Sequence, residues 1–513
     1  MITSAETMTT RDGVELVATL WRPAAHGRFP VLLSRTPYGR AEQAAGFHLN
    51  VARLVEAGYA VALQDVRGTG DSAGRFEFLA HEAQDGHDAV RWAATAPWSD
   101  GNVGMYGDSY LGITQLLAAQ EQPEGLRAIA PHVTPAGLYE IAYRHGIPHL
   151  NVTLTVAYVA FGLNELQRRV ARGEADPEEL DSYTAVMLSP EHAERDPIGD
   201  QPLLAELAPF FAEWMNNPDP RAELWRRAVV EHDRIRVPAL MSTGWYDYFA
   251  EDTIAHFQRF DDRSRLILGP WTHFTHDREI FGRDYGDLAS QDAIDWTGIH
   301  LDWFGHWLRG EPMRDQDRVR YFVMGGDEWR TARHWPPQEV RRVLHHLGQD
   351  GTLGTTPKNG SREFVSDPGD PVPTLGGAVM VFDGFGPLDQ RPLDGRTDVL
   401  RYQTEPLAEA VEVAGPVELV ARVSTSARSA DLAAKLIDVH PDGRAELLID
   451  GIARVGEGGE VRVALGEIAN RFLPGHRIRV DVAGSNFPRF ARNPDKGTTT
   501  LHAPSYLVLP ISS

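Results

Sequence analysis

The chain of 513 residues contains no cysteine. That removes a disulfide framework, thiolate metal sites and a cysteine nucleophile from consideration. Lysine is nearly absent too: Lys358, Lys435 and Lys496 are the three, all late in the sequence. A serine–lysine dyad or Schiff-base lysine therefore has no partner close in sequence to the serine motif described below, although folding brings distant segments together. No stretch approaches the ~20 apolar residues needed to cross a bilayer. Met1 to Thr10 has neither a basic start nor an apolar run, so no signal peptide is visible and a cytoplasmic location is expected. Positive charge is short as well. The formal net charge is -22 with no Lys/Arg cluster to reverse it locally, which argues against nucleic acid and anionic membrane as partners.

What is present suits a multidomain globular protein. The hydrophobic fraction of 42% and charged fraction of 24% are ordinary, and the length exceeds what one core accommodates, so two or three domains are expected. The most informative stretch is Gly104-Met105-Tyr106-Gly107-Asp108-Ser109-Tyr110-Leu111-Gly112, followed by the amphipathic run Ile113 to Ala119. A strand turning sharply into a helix, with glycines where side chains would clash, lifts a serine hydroxyl clear of the backbone. The general pattern is G-x-S-x-G; here Leu111 stands at the second glycine's place and Gly112 follows one residue later. Alone, the stretch is equally compatible with a tight strand-to-helix turn.

Around it the grammar changes twice. Val14 to Arg22, Phe29 to Ser34, Tyr59 to Val66 and Val103 to Tyr106 read as strands, with helical spacing at Val51 to Ala57 and Asp85 to Ala94. Strands alternating with helices predict a mostly parallel sheet covered on both faces, with ligands at the carboxyl ends of the strands. From residue 137 to 235 the pattern is helical (Leu154 to Arg172, Pro202 to Met215, Arg221 to Glu231), an insertion over that sheet. Val237 to Thr243 and Arg265 to Leu268 resume the strands, and Asp295 to Leu308 is an aromatic-faced helix. Beyond residue 318, turn-rich segments and alternating stretches (Val417 to Thr425, Ala434 to Val439, Leu447 to Val455, Arg477 to Val482, Ser505 to Ile511) predict an antiparallel sandwich or jelly roll. The expected division is therefore 1–136 with 236–318, 137–235, and 319–513. Gly68-Thr69-Gly70-Asp71-Ser72-Ala73-Gly74 mimics a dinucleotide loop, but its spacing is one residue off and no helix follows directly.

A serine hydroxyl needs a base to take its proton and a carboxylate to hold that base. Elbow-type hydrolases order these as serine, acid, histidine. Downstream of Ser109, Asp247 follows one predicted strand and His273 the next. Asp247 also reads as a turn residue capping the helix Glu251 to Phe260. His276 is a rival base, and His273 with His276 and Asp277 reads as a metal group. The oxyanion would be held by the backbone N–H of Tyr110 and by a donor from the loop after an early strand, where Tyr38 lies; Tyr38 equally reads as a surface residue packed on Pro37.

Taken together, Thr36-Pro37-Tyr38-Gly39, Gln64 to Gly70, Gly107-Asp108-Ser109-Tyr110-Leu111-Gly112, Gly244-Trp245-Tyr246-Asp247 and Gly269-Pro270-Trp271-Thr272-His273 resemble the cocaine esterase-like hydrolases. These are grouped with the Xaa-Pro dipeptidyl peptidases and the α-amino acid ester hydrolases. The resemblance continues through Asp367 to Thr374, Gly386 to Arg391 and Ala434 to Val439. The family's serine motif is G-x-S-Y-x-G, which accounts for Gly112. Ser429-Ala430-Asp431 departs from the family pattern, which commonly has a further acidic residue there.

The resemblance implies an α/β fold: an α/β-hydrolase core, a helical cap and a C-terminal jelly roll of galactose-binding-like type. It implies Ser109 as nucleophile, His273 as base, Asp247 as its orienting acid, the Tyr38 hydroxyl and Tyr110 N–H as oxyanion hole, and Phe249 as an acyl-pocket aromatic. No metal or organic cofactor is called for. The expected substrate is a small-molecule ester. Amide or peptide cleavage, including release of an Xaa-Pro dipeptide with Glu140 or Glu165 holding the α-ammonium, is the nearest alternative. A catalytically inactive sugar- or surface-binding protein is the alternative from another class, and association as a homodimer stays open.

Overall fold

The parallel strands form because runs such as Val31 to Leu33 and Ala60 to Leu63 are apolar on both faces and bury completely. The computed structural model describes residues 1–40, 49–189, 191–314, 316–380, 384–456 and 458–512. Among them, the main sheet has ten strands: β1 (Ile2–Thr9), β2 (Glu15–Arg22), β3 (Phe29–Thr36), β4 (Ala60–Asp65), β5 (Ser99–Asp108), β6 (Leu126–His132), β7 (Leu240–Tyr246), β8 (Arg265–Thr272), β9 (Val319–Val323) and β10 (Glu328–Ala332). Their order is β1-β2-β4-β3-β5-β6-β7-β8-β9-β10. From β4 through β9 neighbours run parallel, while β1, β2 and β10 attach antiparallel at the edges.

Alternate residues of these strands face two helical layers. Val31, Leu33, Ala62, Met105, Ile129 and Met241 pack with Ala89, Val90, Ile113 and Leu117 of helices α2 (Glu82–Thr95) and α3 (Tyr110–Gln120). On the other side Leu32, Val61, Tyr106, Ala130, Leu240 and Ile267 meet α1 (Val51–Glu56) and α7 (Trp296–Arg309). Gly104 lets α7 come close, because a Cβ there would stand 2.6 Å from Phe304 Cε1. Between β6 and β7 lies the helical cap. Its principal helix is one continuous rod: α4 (Leu150–Thr155), a π-helical stretch (Val156–Leu163) and α5 (Asn164–Ala171). Helix α6 (Ala250–Gln258) follows β7.

The C-terminal region is a sandwich. One sheet joins Leu353–Gly354, β11 (Val340–Leu347), β19 (Gly497–Ser512), β14 (Val411–Thr425) and β17 (Gly459–Phe472), with β12 (Ser361–Ser366) also paired to β19. The other runs β13 (Val399–Gln403), β18 (Arg477–Ala483), β15 (Ala430–Val439), β16 (Ala445–Val455). The expected architecture of core, cap and jelly roll is what the chain adopts. β9 and β10, which follow the expected boundary at 318/319, hydrogen-bond into the main sheet.

Candidate active site

β5 ends one residue before Ser109 and α3 begins one residue after. Ser109 is held at φ 59°, ψ −118°, a left-handed backbone for a residue with a Cβ. Such strain costs about 1–3 kcal/mol and persists only where the surroundings over-determine it. Here the Ser109 N–H donates to the His132 carbonyl at 2.8 Å, and the Ser109 carbonyl accepts from Gly112 and Ile113 at 2.9 and 3.0 Å. Gly112 faces the end of β6: a Cβ there would collide with Thr134 Oγ1 and lie 3.0 Å from the His132 carbonyl. The close approach falls on residue 112 of the helix rather than 111, and Leu111 packs into the core instead.

Asp247 and His273 leave the carboxyl ends of the adjacent strands β7 and β8. His273 Nδ1 lies 2.8 Å from Asp247 Oδ1, with both side chains buried. A carboxylate accepts, so Nδ1 carries the hydrogen and Nε2 keeps its lone pair. Asp247 is itself fixed: Oδ2 accepts from Thr243 Oγ1 at 2.6 Å and Oδ1 from the Phe249 N–H at 3.1 Å. Its carbonyl also accepts from Ala250 N–H at 3.1 Å, in the turn that leads into α6, whose N-cap is Phe249. The Tyr248 ring stacks on His273 with centroids 4.2 Å apart.

Ser109, His273 and Tyr38 line one cavity of about 540 Å³. The Tyr38 hydroxyl hydrogen-bonds Ser109, and burial pushes its phenol well above the ordinary value, against the opposing pull of that bond. It stays a donor at neutral pH. The remaining wall is mostly apolar: Leu49, Phe274, Trp296 and Met380, with Thr155, Val159, Ala160, Leu163, Asn164 and Gln167 projecting from the π-bearing rod. Asp108 is the carboxylate among the described lining residues.

Tyr110 opens α3, and its phenol points into the protein, donating to Glu82 Oε1 at 2.9 Å and accepting from the Leu79 N–H at 3.2 Å. Glu82 also pairs with Arg35 at 2.6 Å, and Arg35 donates to Gln64 Oε1 at 2.9 Å. Burial raises the Glu82 carboxyl, and Arg35 opposes that rise. This chain of side chains anchors the helix turn that presents the Tyr110 N–H.

The other expected residues sort differently. Phe249 is buried with its ring 5.7 Å from His273, but it is not among the residues lining the cavity. His276 packs against Trp271 at 5.7 Å and is likewise outside the lining. Glu165 pairs with Arg168 and Arg169 at 2.5 and 3.2 Å, and neither it nor Glu140 lines the cavity. The glycine loop at 68–74 has an internal occupant: a Cβ on Gly70 would collide with the Asp65 carboxylate, which accepts from the N–H groups of Arg40 and Asp71 at 2.7 and 3.1 Å. A side-chain anion already fills the space a phosphate would take.

The Peptidase_S15 family model, "X-Pro dipeptidyl-peptidase (S15 family)", matches residues 12–275, and the "X-Pro dipeptidyl-peptidase C-terminal non-catalytic domain" matches 313–508. The chain belongs to the S15 family. Among S15-like relatives, it is 37% identical over 526 residues to the cocaine esterase of Rhodococcus sp. (strain MB1 Bresler), covering 95% of this chain and 91% of that one. It is 20% identical over 371 residues to the Xaa-Pro dipeptidyl-peptidase of Lactobacillus delbrueckii subsp. lactis, covering 68% of this chain and 41% of that protein. An α-amino acid ester hydrolase structure shares the fold with TM-score 0.78 at 22% identity, covering 99% of this chain and 96% of that one. An aminopeptidase structure from a marine sediment Thaumarchaeota archaeon does so with TM-score 0.82 at 24% identity, covering 100% and 96%. This S15 member is thus a serine hydrolase, esterase or peptidase, whose substrate is a small-molecule ester or a peptide.

One residue of the cavity wall that the sequence patterns did not single out is held by a buried chain of hydrogen bonds. His132 lines the cavity, and its Nδ1 lies 2.9 Å from Ser242 Oγ and its Nε2 2.7 Å from His300 Nε2. His300 Nδ1 is 2.9 Å from the Trp296 carbonyl and must donate to it, which sets the rest of the chain: His132 Nε2–H donates to His300, and Ser242 donates to His132. Burial lowers His300 to about 4, with its bond to the Trp296 carbonyl opposing, which keeps that ring neutral at pH 7. The sequence signal was the strand Leu126–His132, whose end carries the carbonyl that receives the Ser109 N–H.

Proposed function

We propose that this protein hydrolyses a carboxylic ester through a covalent acyl-enzyme on Ser109. His273 Nε2 takes the Ser109 proton as the oxygen attacks the carbonyl carbon. The tetrahedral oxyanion is held by the Tyr38 hydroxyl and the Tyr110 N–H. Collapse expels the alcohol, which receives the proton from His273. Water, deprotonated by the same imidazole, then attacks the acyl-serine and releases the acid. Asp247 keeps the ring in the tautomer this sequence of transfers requires.

The observation that carries the reading is the hydrogen bond from His273 to Asp247 together with the shared cavity of His273, Ser109 and Tyr38. The Rhodococcus relative's esterase name supports an ester substrate. So does the lining: an α-ammonium finds Asp108 as its sole carboxylate among the described lining residues, since Glu140 and Glu165 lie elsewhere. The test is a panel of acyl esters run beside Xaa-Pro anilides, with a fluorophosphonate probe. Ester turnover with stoichiometric labelling of Ser109, both lost in Ser109→Ala, is the expected result. Preferential anilide cleavage would transfer the assignment to the peptidase branch, and absence of labelling in folded protein would end the hydrolase mechanism.

A further inference from the structure

At one end of the jelly roll, away from the cavity, four polar side chains converge that hydrolysis does not use. Asp438 is the penultimate residue of β15, His440 lies in the turn to β16, Glu446 is the second residue of β16, and His476 immediately precedes β18. Asp438, His440 and His476 each offer a ligand atom, and these atoms all lie within 4.8 Å of one another. His476 Nδ1 is 2.9 Å from Asp438 Oδ1, and His440 Nε2 is 3.3 Å from Glu446 Oε2. The two imidazole centroids are 4.5 Å apart. Asp438, Glu446 and His476 are buried and His440 is half-buried.

These separations suit a shared cation. Tetrahedral zinc holds nitrogen and oxygen donors at ~2.0–2.2 Å, which sets donors about 3.3 Å from one another. His440 Nε2 and Glu446 Oε2 stand at that spacing, sealed from solvent. Two imidazoles with two carboxylates favour zinc over calcium or magnesium, which take oxygen donors. The turn is also prepared: His440 N–H donates to the Arg444 carbonyl at 2.8 Å, and Gly443 N–H to the His440 carbonyl at 2.9 Å. The competing cation is Arg444, whose Nη2 lies 2.7 Å from Glu446 Oε2, with Arg283 at 3.5 Å on the other oxygen. The Arg444 side chain is 31% exposed and has solvent to turn into.

We propose that Asp438, His440 and His476, with Glu446 as fourth donor, form a structural zinc site in the jelly roll. The ion ties the β15–β16 turn to the loop before β18. Through Glu446 and its neighbour Leu447, whose carbonyl accepts from the Tyr246 hydroxyl at 3.1 Å, it braces the sandwich against the segment of the core that carries Asp247. The test is calorimetric titration of Zn²⁺ into chelator-treated full-length protein, with Co²⁺ as a spectroscopic substitute. One equivalent is expected, with visible Co²⁺ bands of tetrahedral intensity and a higher melting temperature. His440→Gln and His476→Gln should each weaken binding by about tenfold or more, whereas His26→Gln, at an exposed position, should not. Failure of the wild-type chain to bind Zn²⁺ at micromolar concentrations, or undiminished binding in both variants, would overturn the proposal whatever the variants' own stability.

Discussion

The hydrolase core and the jelly roll both bury charge, and they do so to different ends. In the core the buried groups are strung toward the cavity: Gln64, Arg35, Glu82 and Tyr110 lead to the turn after Ser109, and Thr243 and Asp247 lead to His273. In the jelly roll they close on themselves. Asp450 accepts from Asn486 at 2.5 Å and from the Arg489 guanidinium, Lys435 donates to Gln390 at 3.1 Å, and Arg479 pairs with Asp481 at 2.6 Å. Removing one partner of a buried pair leaves a stranded charge in either place. Only in the core should such a loss be read first in turnover.

The sharpest way to break that contrast is one chemical change made in both regions. Asp247→Asn should lower kcat by on the order of 10⁴-fold, because the amide no longer enforces the Nδ1–H tautomer of His273. Steady-state kinetics with an activated ester measure it, and a loss below tenfold would remove Asp247 from the orienting role. Asp450→Asn should leave kcat per folded molecule intact while costing about 3–5 kcal/mol of stability, since Arg489 and Lys435 lose their counter-charge; denaturant melts decide it. Within the core, Tyr38→Phe should reduce kcat by about 10²–10³-fold with little change in melting temperature. Unchanged kcat would return Tyr38 to a packing role.

The smallest effect distinguishes the regions by pH. Glu467 of β17 is half-buried, receives the Trp335 Nε1–H at 2.9 Å and is raised from 4.5 to about 7 by desolvation, with the tryptophan hydrogen bond opposing. The folded state holds its proton longer than the unfolded one, so its contribution is complete below about pH 4.5 and is lost as pH rises through 7. His300 of the core is lowered from 6.5 to about 4 by burial, with its hydrogen bond to the Trp296 carbonyl opposing. Its contribution is complete above 6.5 and is lost as pH falls through 4. Each is worth at most about 3 kcal/mol. Between about pH 4 and 7, Glu467→Gln should therefore remove a loss of stability on raising the pH, and His300→Gln a loss on lowering it, so the two variants' profiles should tilt in opposite directions. Identical profiles for both variants would contradict the assignment.

Much of the core was legible because its signals are local. Phe29 to Leu33 and Tyr59 to Leu63 are apolar runs of strand length, and the glycine at 112 already encodes the close approach to Thr134. The cavity wall was not, since His132, Trp296 and Met380 come from separate segments that only the fold unites. Some misses were avoidable. The helix Pro177–Met187 begins with Asp176, Pro177 and Glu179, a capping box with proline at the first turn. Others were harder: β17 alternates from Glu460 to Leu465 but loses the alternation at Gly466, where its pairing with β14 shifts register. Phe249 follows Asp247 as expected, yet the turn that fixes the carboxylate sends its ring beside the imidazole rather than into the cavity lining.

The π-helical stretch at Val156–Leu163 carries a lesson for engineering. A wide turn holds one residue more than an α-turn. Deleting a single residue there would restore ordinary winding with Asn164 and Gln167 still on the wall, and would instead change how the stretch's own Val159 and Ala160 are presented to the cavity. Substrate preference in this scaffold is therefore open to retuning by changes in chain length, with the reacting groups left where they are.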